Sequence, residues 1–250
     1  MKKTLLALSL LATAGFTQTA YADGEAAAEE EAGPISITLT VTSDYRFRGQ
    51  SQNSRDFAFQ GSVDYTTDSG FFVGAWASNI DFSDTGDTSS YMELDLYAGY
   101  TVALAEGTEA GVKATYYHYP ESPYVIGYDY WELQASLSHD IGGATLSAEV
   151  NYSPNYFFET DSAVAAAAGI EVPLWDKFKA SGHVGHQWID NNAGFGTPDW
   201  LYWDVGVGVE LGRLTLDARY VGTNLDEAEC FGGTDLCEGG FVGTASFTFP

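Results

Sequence analysis

LYWDVGVGVEL, residues 201–211, divides by alternate residues into two series of unlike chemistry. Leu201, Trp203, Val205, Val207, Val209 and Leu211 are apolar, whereas Tyr202, Asp204, Gly206, Gly208 and Glu210 are polar, charged or small. Successive side chains of a strand point to opposite faces, so this is one strand between two different surroundings. The same period recurs in about twelve segments, at 35–47, 57–65, 71–80, 91–102, 109–119, 130–139, 144–152, 163–172, 178–188, 201–211, 213–221 and 241–249. No segment of comparable length has a helical period. The chain is therefore all-β.

In nine of the clearer segments the apolar series contains no charged residue, as the lipid face of a membrane-spanning barrel requires. A soluble sandwich also alternates, with its apolar face turned inward. Three features favour the barrel. The segments are about ten residues long, the length that crosses hydrocarbon at a tilt, and they are flanked by aromatics expected to form interfacial girdles. These are Tyr45, Phe47, Tyr65, Tyr100, Tyr116, Tyr119, Tyr128, Tyr130, Trp131, Tyr152, Trp188, Trp200, Trp203 and Tyr220. Connections alternate in length: TTDSG, ALAEGTE, DIGG, EVPLWDK and LG are tight, whereas RGQSQNSR, DFSDTGDTSS, PESPYVIGYD, SPNYFFETD, DNNAGFGTPD and TNLDEAECFGGTDLCEGG are longer and polar. The C-terminus GFVGTASFTFP ends in an alternating aromatic strand, similar to the signal by which outer-membrane barrels reach their assembly machinery, although Pro250 follows the last aromatic. The expectation is a transmembrane, antiparallel, up-and-down barrel of about twelve strands over residues 35–250.

The N-terminal residues 1–22 combine Lys2 and Lys3, an apolar run from Leu5 to Phe16 and small residues at Ala20 and Ala22, the pattern of a cleaved secretory signal. DGEAAAEEEA opens an acidic, solvated leader at 23–34. Without the signal the balance is 8 basic against 35 acidic residues, which argues against nucleic acid as a partner. Cys230 and Cys237 are the two cysteines, and in an exported chain they are expected to form a disulfide in the last long loop. No histidine lies near them to complete a metal site, and no cofactor is implied.

If the apolar series faces lipid, the charges of the other series line the lumen. Those are Asp44, Asp64, Glu93, Asp95, Glu132, Glu149, Glu171, Asp204, Glu210 and Asp217, against Arg46, Arg48 and Arg219. Three of the five arginines (Arg46, Arg48, Arg55) fall in or just after SDYRFRGQSQ, residues 43–52. Strand phase sets Asp44, Arg46 and Arg48 on the lumen wall and Tyr45 and Phe47 at the lipid boundary, with Gly49 starting the first loop. Two roles compete for the arginines. They form a charged constriction in a water-filled lumen that acids bias toward cations, or they pair with acids such as Asp64 in a network that plugs and braces the barrel. Gly206 and Gly208 leave space for larger neighbours. An enzyme has little support: His118, His139, His183 and His186 belong to no GxSxG or HExxH pattern. Ser138 and His139 point to opposite faces, as do His183 and His186.

SDYRFRGQSQ, together with QGSVDY (60–65), GFFVGAWASNIDF (70–82) and MELDLYAGY (92–100), resembles the TorF-type porin family of Gram-negative bacteria, and the alternating strands extend the likeness over most of the chain. Asp44, Tyr45, Arg46, Arg48, Gly49, Trp76, Ser78, Asn79 and Asp81 match its motif positions; Gln50 departs from them, where an aliphatic residue is expected. The resemblance implies a barrel in the outer-membrane lipid acting as a porin. With a lumen of this charge, the expected function is diffusion of small polar solutes with a cation bias. The alternative is a non-conducting barrel that serves the cell surface or envelope structure.

Overall fold

The structure is a computed structural model that describes residues 33–120, 127–175 and 177–250. The expected signal, and all but the last two residues of the acidic leader, lie outside the described residues. Among the described residues fourteen strands follow one another: β1 (Ile35–Thr42), β2 (Arg46–Phe47), β3 (Gln50–Ser51), β4 (Ala58–Thr66), β5 (Phe71–Asn79), β6 (Met92–Ala105), β7 (Thr108–His118), β8 (Tyr130–Asp140), β9 (Thr145–Ser153), β10 (Ala163–Trp175), β11 (Phe178–Ile189), β12 (Trp200–Leu211), β13 (Leu214–Thr223) and β14 (Gly240–Phe249). Twelve of them form a closed antiparallel barrel in which each strand pairs with its sequence neighbour and β1 closes against β14. The short pair β2–β3 stands apart as a hairpin within the first loop. Among the described residues no helix is long and apolar enough to cross a membrane.

The alternation in the sequence becomes an inside and an outside. Along β1, Ile35, Ile37, Leu39 and Val41 face out, the last three against Phe249, Phe247 and Ala245 of β14. Thr38, Thr40 and Thr42 face in, and their hydroxyls bond those of Thr248, Ser246 and Thr244 at 2.8–3.1 Å. This hydroxyl ladder places the closure seam of the barrel on polar contacts inside and apolar contacts outside. The outer surface is apolar to an extent that a water-facing surface would not tolerate: Phe59 is 67% and Leu133 55% exposed, and Phe241 reaches 86%.

Glycines make room inside for large neighbours. A Cβ on Gly74 would lie 2.5 Å from the Tyr97 ring, one on Gly185 2.3 Å from Tyr202, and one on Gly206 2.6 Å from the Arg219 side chain. Tight turns join the strands at one end, the turn end, where both termini of the barrel also lie. The long connections gather at the other, the loop end, and there the cysteines form the disulfide Cys230–Cys237.

The largest departure from expectation is in the first loop. Strand β1 stops at Thr42, not at residue 47, and the chain from Ser43 to Phe57 turns into the mouth of the barrel. Tyr45 and Phe47 are therefore buried inside, at 4% and 9% exposure, and do not lie at the lipid boundary. Backbone conformation accounts for this. The strand phase is lost at a bend over Ser43–Asp44, and beyond it Arg48 and Gly49, both with positive φ (47° and 86°), close the β2–β3 hairpin. The aromatics expected in girdles divide likewise: Tyr65, Tyr100, Trp131, Tyr152, Trp188 and Tyr220 face out, but Tyr119, Tyr128, Tyr130 and Trp200 join Tyr45 and Phe47 in an internal cluster.

Candidate channel lumen

The loop end is filled by side chains. Tyr128 stacks on Phe157 at 4.4 Å, Tyr117 on Tyr130 at 4.4 Å and Phe195 on Trp200 at 5.7 Å, while Tyr45 meets Trp76 edge-on at 5.4 Å. Beneath this cap lies a cavity of about 230 Å3. Its wall is mixed: Thr38, Thr40, Gln60, Ser62, Thr115, Gln134, Asn151, Thr215, Thr244 and Ser246 supply hydroxyls and amides, interleaved with Phe47, Trp76, Tyr117, Trp203, Val221 and Val242.

The hairpin tip hangs over this cavity by a buried ion pair. Arg48 donates from its two terminal nitrogens to the two carboxylate oxygens of Glu132 on β8 (2.8 and 2.9 Å), and one of them also donates to Gln187 Oε1 on β11 (2.8 Å). The Arg48 backbone carbonyl accepts from Trp200 Nε1 of β12 at 2.9 Å, and the guanidinium lies 4.6 Å over the Phe47 ring. Tyr45 anchors the other flank, donating its hydroxyl to Glu93 of β6 at 3.1 Å. One loop thus grips strands on opposite sides of the barrel.

The remaining arginines of the cluster hold the hairpin to the disulfide loop. Arg46 pairs with Asp44 at 2.5 Å and donates to the backbone carbonyls of Gly49 and Glu238. Arg55 pairs with Asp235 and Glu238 at 3.1 and 3.3 Å, and Ser51 N donates to the Leu236 carbonyl. Asp44, Arg46 and Arg48 thus sit on a loop inside the lumen and not on its wall. The pairing with Asp64 does not form: Asp64 accepts instead from Ser62 Oγ and from the Tyr97 hydroxyl.

The other expected lumen residues do face inward. Arg219 bridges Asp217 (2.6 Å) and Asp204 (2.5 Å), and Asp204 also meets His183 Nδ1 at 2.9 Å. Nearer the turn end, Glu171 and Glu210 flank Lys179 at 3.4 and 2.9 Å. Glu93 and Asp95 are buried side by side under Tyr45, each with one carboxylate oxygen lacking a hydrogen-bond donor among the described residues. Glu149 accepts from the amides of Gln134 and Asn151. Lys113 and Lys179 are inward cations that the expected balance of ten acids to three arginines omitted. Their signal was parity: Lys113 alternates with Thr115 and Tyr117 on the same face of β7. Around the cavity the balance is nearly even, with Asp44, Glu132, Glu149, Asp204 and Asp217 against Arg46, Arg48, Lys113 and Arg219.

A protein-family profile described as "Bacterial protein of unknown function (Gcw_chp)" matches residues 26–249. The chain belongs to the Gcw_chp family. Among solved structures this Gcw_chp barrel is similar to a KdgM porin in complex with disordered oligogalacturonate (TM-score 0.58, 4% identity, 86% of this chain and 98% of that one). It is similar also to a NanC porin (TM-score 0.59, 10% identity, 85% and 98%). At those identities the likeness is one of fold. No curated protein matches the chain in sequence. The family shown is thus Gcw_chp, and the likeness to porins is architectural.

Proposed function

We propose that this protein is an outer-membrane channel for small polar solutes, exported by its N-terminal signal and delivered to the assembly machinery through β14. The observation that carries the reading is the contrast between the two faces: an apolar exterior suited to lipid encloses a cavity where hydroxyls, amides and nearly balanced charges stand among aromatic and aliphatic side chains. Such a wall replaces the hydration of a polar solute without binding it in one rigid geometry. The near-even charge around the cavity, five acids to four bases, favours a modest cation preference. The protein acts as a conduit and not as a catalyst.

A second reading has its own observation. The first loop and the aromatic cap fill the loop end, as in a non-conducting barrel that serves the surface or the envelope. Planar-bilayer recordings separate the two. The channel reading expects discrete conductance steps with a reversal potential displaced toward cations, and larger steps once residues 45–53 are replaced by a short glycine–serine link. Silence from both proteins over the full voltage range would overturn it.

A further inference from the structure

The charges around the cavity pair off, and two are left over. Asp44 takes Arg46, Glu132 takes Arg48, and Asp204 and Asp217 share Arg219. The Lys113 side chain makes no ion pair or hydrogen bond among the described residues; the acids whose charges act on it most strongly are Glu149, Glu132 and Asp95. Glu149 is bonded only by neutral amides, Gln134 Nε2 and Asn151 Nδ2, each at 2.9 Å. A cation and an anion without close partners thus face one cavity from β7 and β9.

Their spacing is set by the sheet. Lys113 lies opposite Gln134, and Gln134 opposite Asn151, so a lysine and two amides form one row across three strands. The next row toward the turn end is Gly111, Ser136 and Glu149. Two strand spacings of about 4.8 Å across the sheet and one row of about 6.8 Å along it separate the Lys113 and Glu149 backbones. Gly111 and Ser136 put no long side chain between the two charged ends, the Ser136 hydroxyl standing where a Gly111 Cβ would be, and the ends stay apart beyond the 4.0 Å reach of an ion pair. A solute carrying only a carboxylate meets the field of Glu149, Glu132 and Asp95, and one carrying only an ammonium meets Lys113. A molecule with both charges a few ångströms apart satisfies each.

We propose that Lys113 and Glu149 form a subsite for a small zwitterionic solute of the α-amino-acid class, with its carboxylate on the Lys113 ammonium, its ammonium on Glu149, and Gln134 and Asn151 as the floor between them. This rests on the channel reading of the same lumen and names its solute class. The test is calorimetric binding to the purified protein in detergent micelles with three probes of similar size: L-serine, glycolate and ethanolamine. Serine binds at least ten-fold more tightly than either half-charged probe. K113Q brings serine down to the level of ethanolamine, and E149Q brings it down to glycolate. The exchanged pair K113E/E149K keeps both charges and recovers the preference, and it serves should a single variant fail to fold. Undetectable serine binding, equal binding of the three probes, or a preference that survives K113Q and E149Q overturns the proposal. Bilayer silence with the serine preference intact would sink the channel reading alone, while conductance without the preference would sink the subsite alone.

Discussion

Replacing Arg48 by alanine tests whether the first loop is a docked element with a definable holding energy. The Arg48–Glu132 pair is nearly sealed from solvent, at 6% and 5% side-chain exposure. Removing the arginine leaves Glu132 buried with the Tyr117 hydroxyl as its remaining donor and strips Gln187 Oε1 of its donor. Breaking a buried pair from one side costs about 3–5 kcal/mol. At about 1.4 kcal/mol per decade, the population of undocked loop rises roughly a hundred- to several-thousand-fold. Alanine is preferred to glycine because Arg48 has φ 47°, and glycine would relieve that conformation and blur the result. The assay is amide hydrogen exchange at Ser51 and Gln52, whose N–H groups donate to the carbonyls of Leu236 and Tyr45 in the docked loop. The paired variant R48M/E132L is the control, since apolar replacement of a buried ion pair is neutral or stabilising. Its amides should exchange no faster than wild type, and its bilayer open probability should fall while that of R48A rises. Less than ten-fold acceleration in R48A would refute the view that this pair holds the loop.

Three further outcomes follow from the geometry. Gly185→Ala places a Cβ 2.3–2.6 Å from Tyr202 ring atoms, so Tyr202 must shift into the cavity, and urea unfolding in vesicles should show a loss of about 1–3 kcal/mol. Opening the disulfide with Cys230→Ser and Cys237→Ser removes about 2 kcal/mol of loop-closure restraint from the unfolded chain; because Arg46 and Arg55 clamp the hairpin to this loop, protease sensitivity should rise in both loops together, and a change confined to residues 230–237 would count against the clamp. Burial alone would raise the Asp129 carboxyl, but the Tyr119 N–H, the Tyr116 hydroxyl and His118 outweigh it and hold it below the usual carboxylate range. A depressed folded value means that its contribution is present above the unfolded value of about 3.9 and is lost as pH falls through the folded one. Protection of the Tyr119 amide, taken relative to its intrinsic rate at each pH, should therefore fall in acid below about pH 4, and D129N should be poorly protected throughout.

The barrel was legible because period-two alternation is a direct record of two solvents. A residue facing hydrocarbon cannot carry charge, so strand number, strand phase and even the closure of β1 on β14 could be read from composition at alternate positions. The first loop was not legible for the same reason. The pattern from Ile35 to Arg48 keeps its alternation past the point where the backbone leaves the strand, and alternation alone contains no signal for the bend at Ser43–Asp44 or the hairpin turn at Arg48. Tyr128 and Tyr130 were a different case. They share parity with Glu132, whose inward position was already assigned, so the phase already placed them inside and the expectation of a girdle overrode it. Ion-pair partners were beyond reach, because Glu132 lies 84 residues from Arg48 and meets it only once five strand pairings have carried β8 around the barrel.

The gathering of arginines in an acidic chain then has an account that divides them. Arg55 lies at the mouth, where its pairs with exposed Asp235 and Glu238 are of modest energy in water, whereas Arg46 is buried against Asp44 and ties the hairpin to the Glu238 carbonyl of the disulfide loop. Arg48 reaches across the lumen to β8, where a buried guanidinium is tolerable only against a carboxylate, and Glu132 stands where its fork can be met by two oxygens. Apolar contacts would hold a permanent plug at least as well, and the aromatic cap already provides them. A buried charge pair adds specificity of position: displacing the tip leaves Glu132 unpaired, so partly withdrawn positions are penalised more steeply than they would be on an apolar surface. The loop is accordingly held in one place by a contact that is lost all at once, the energetic form that a gate over a polar cavity requires.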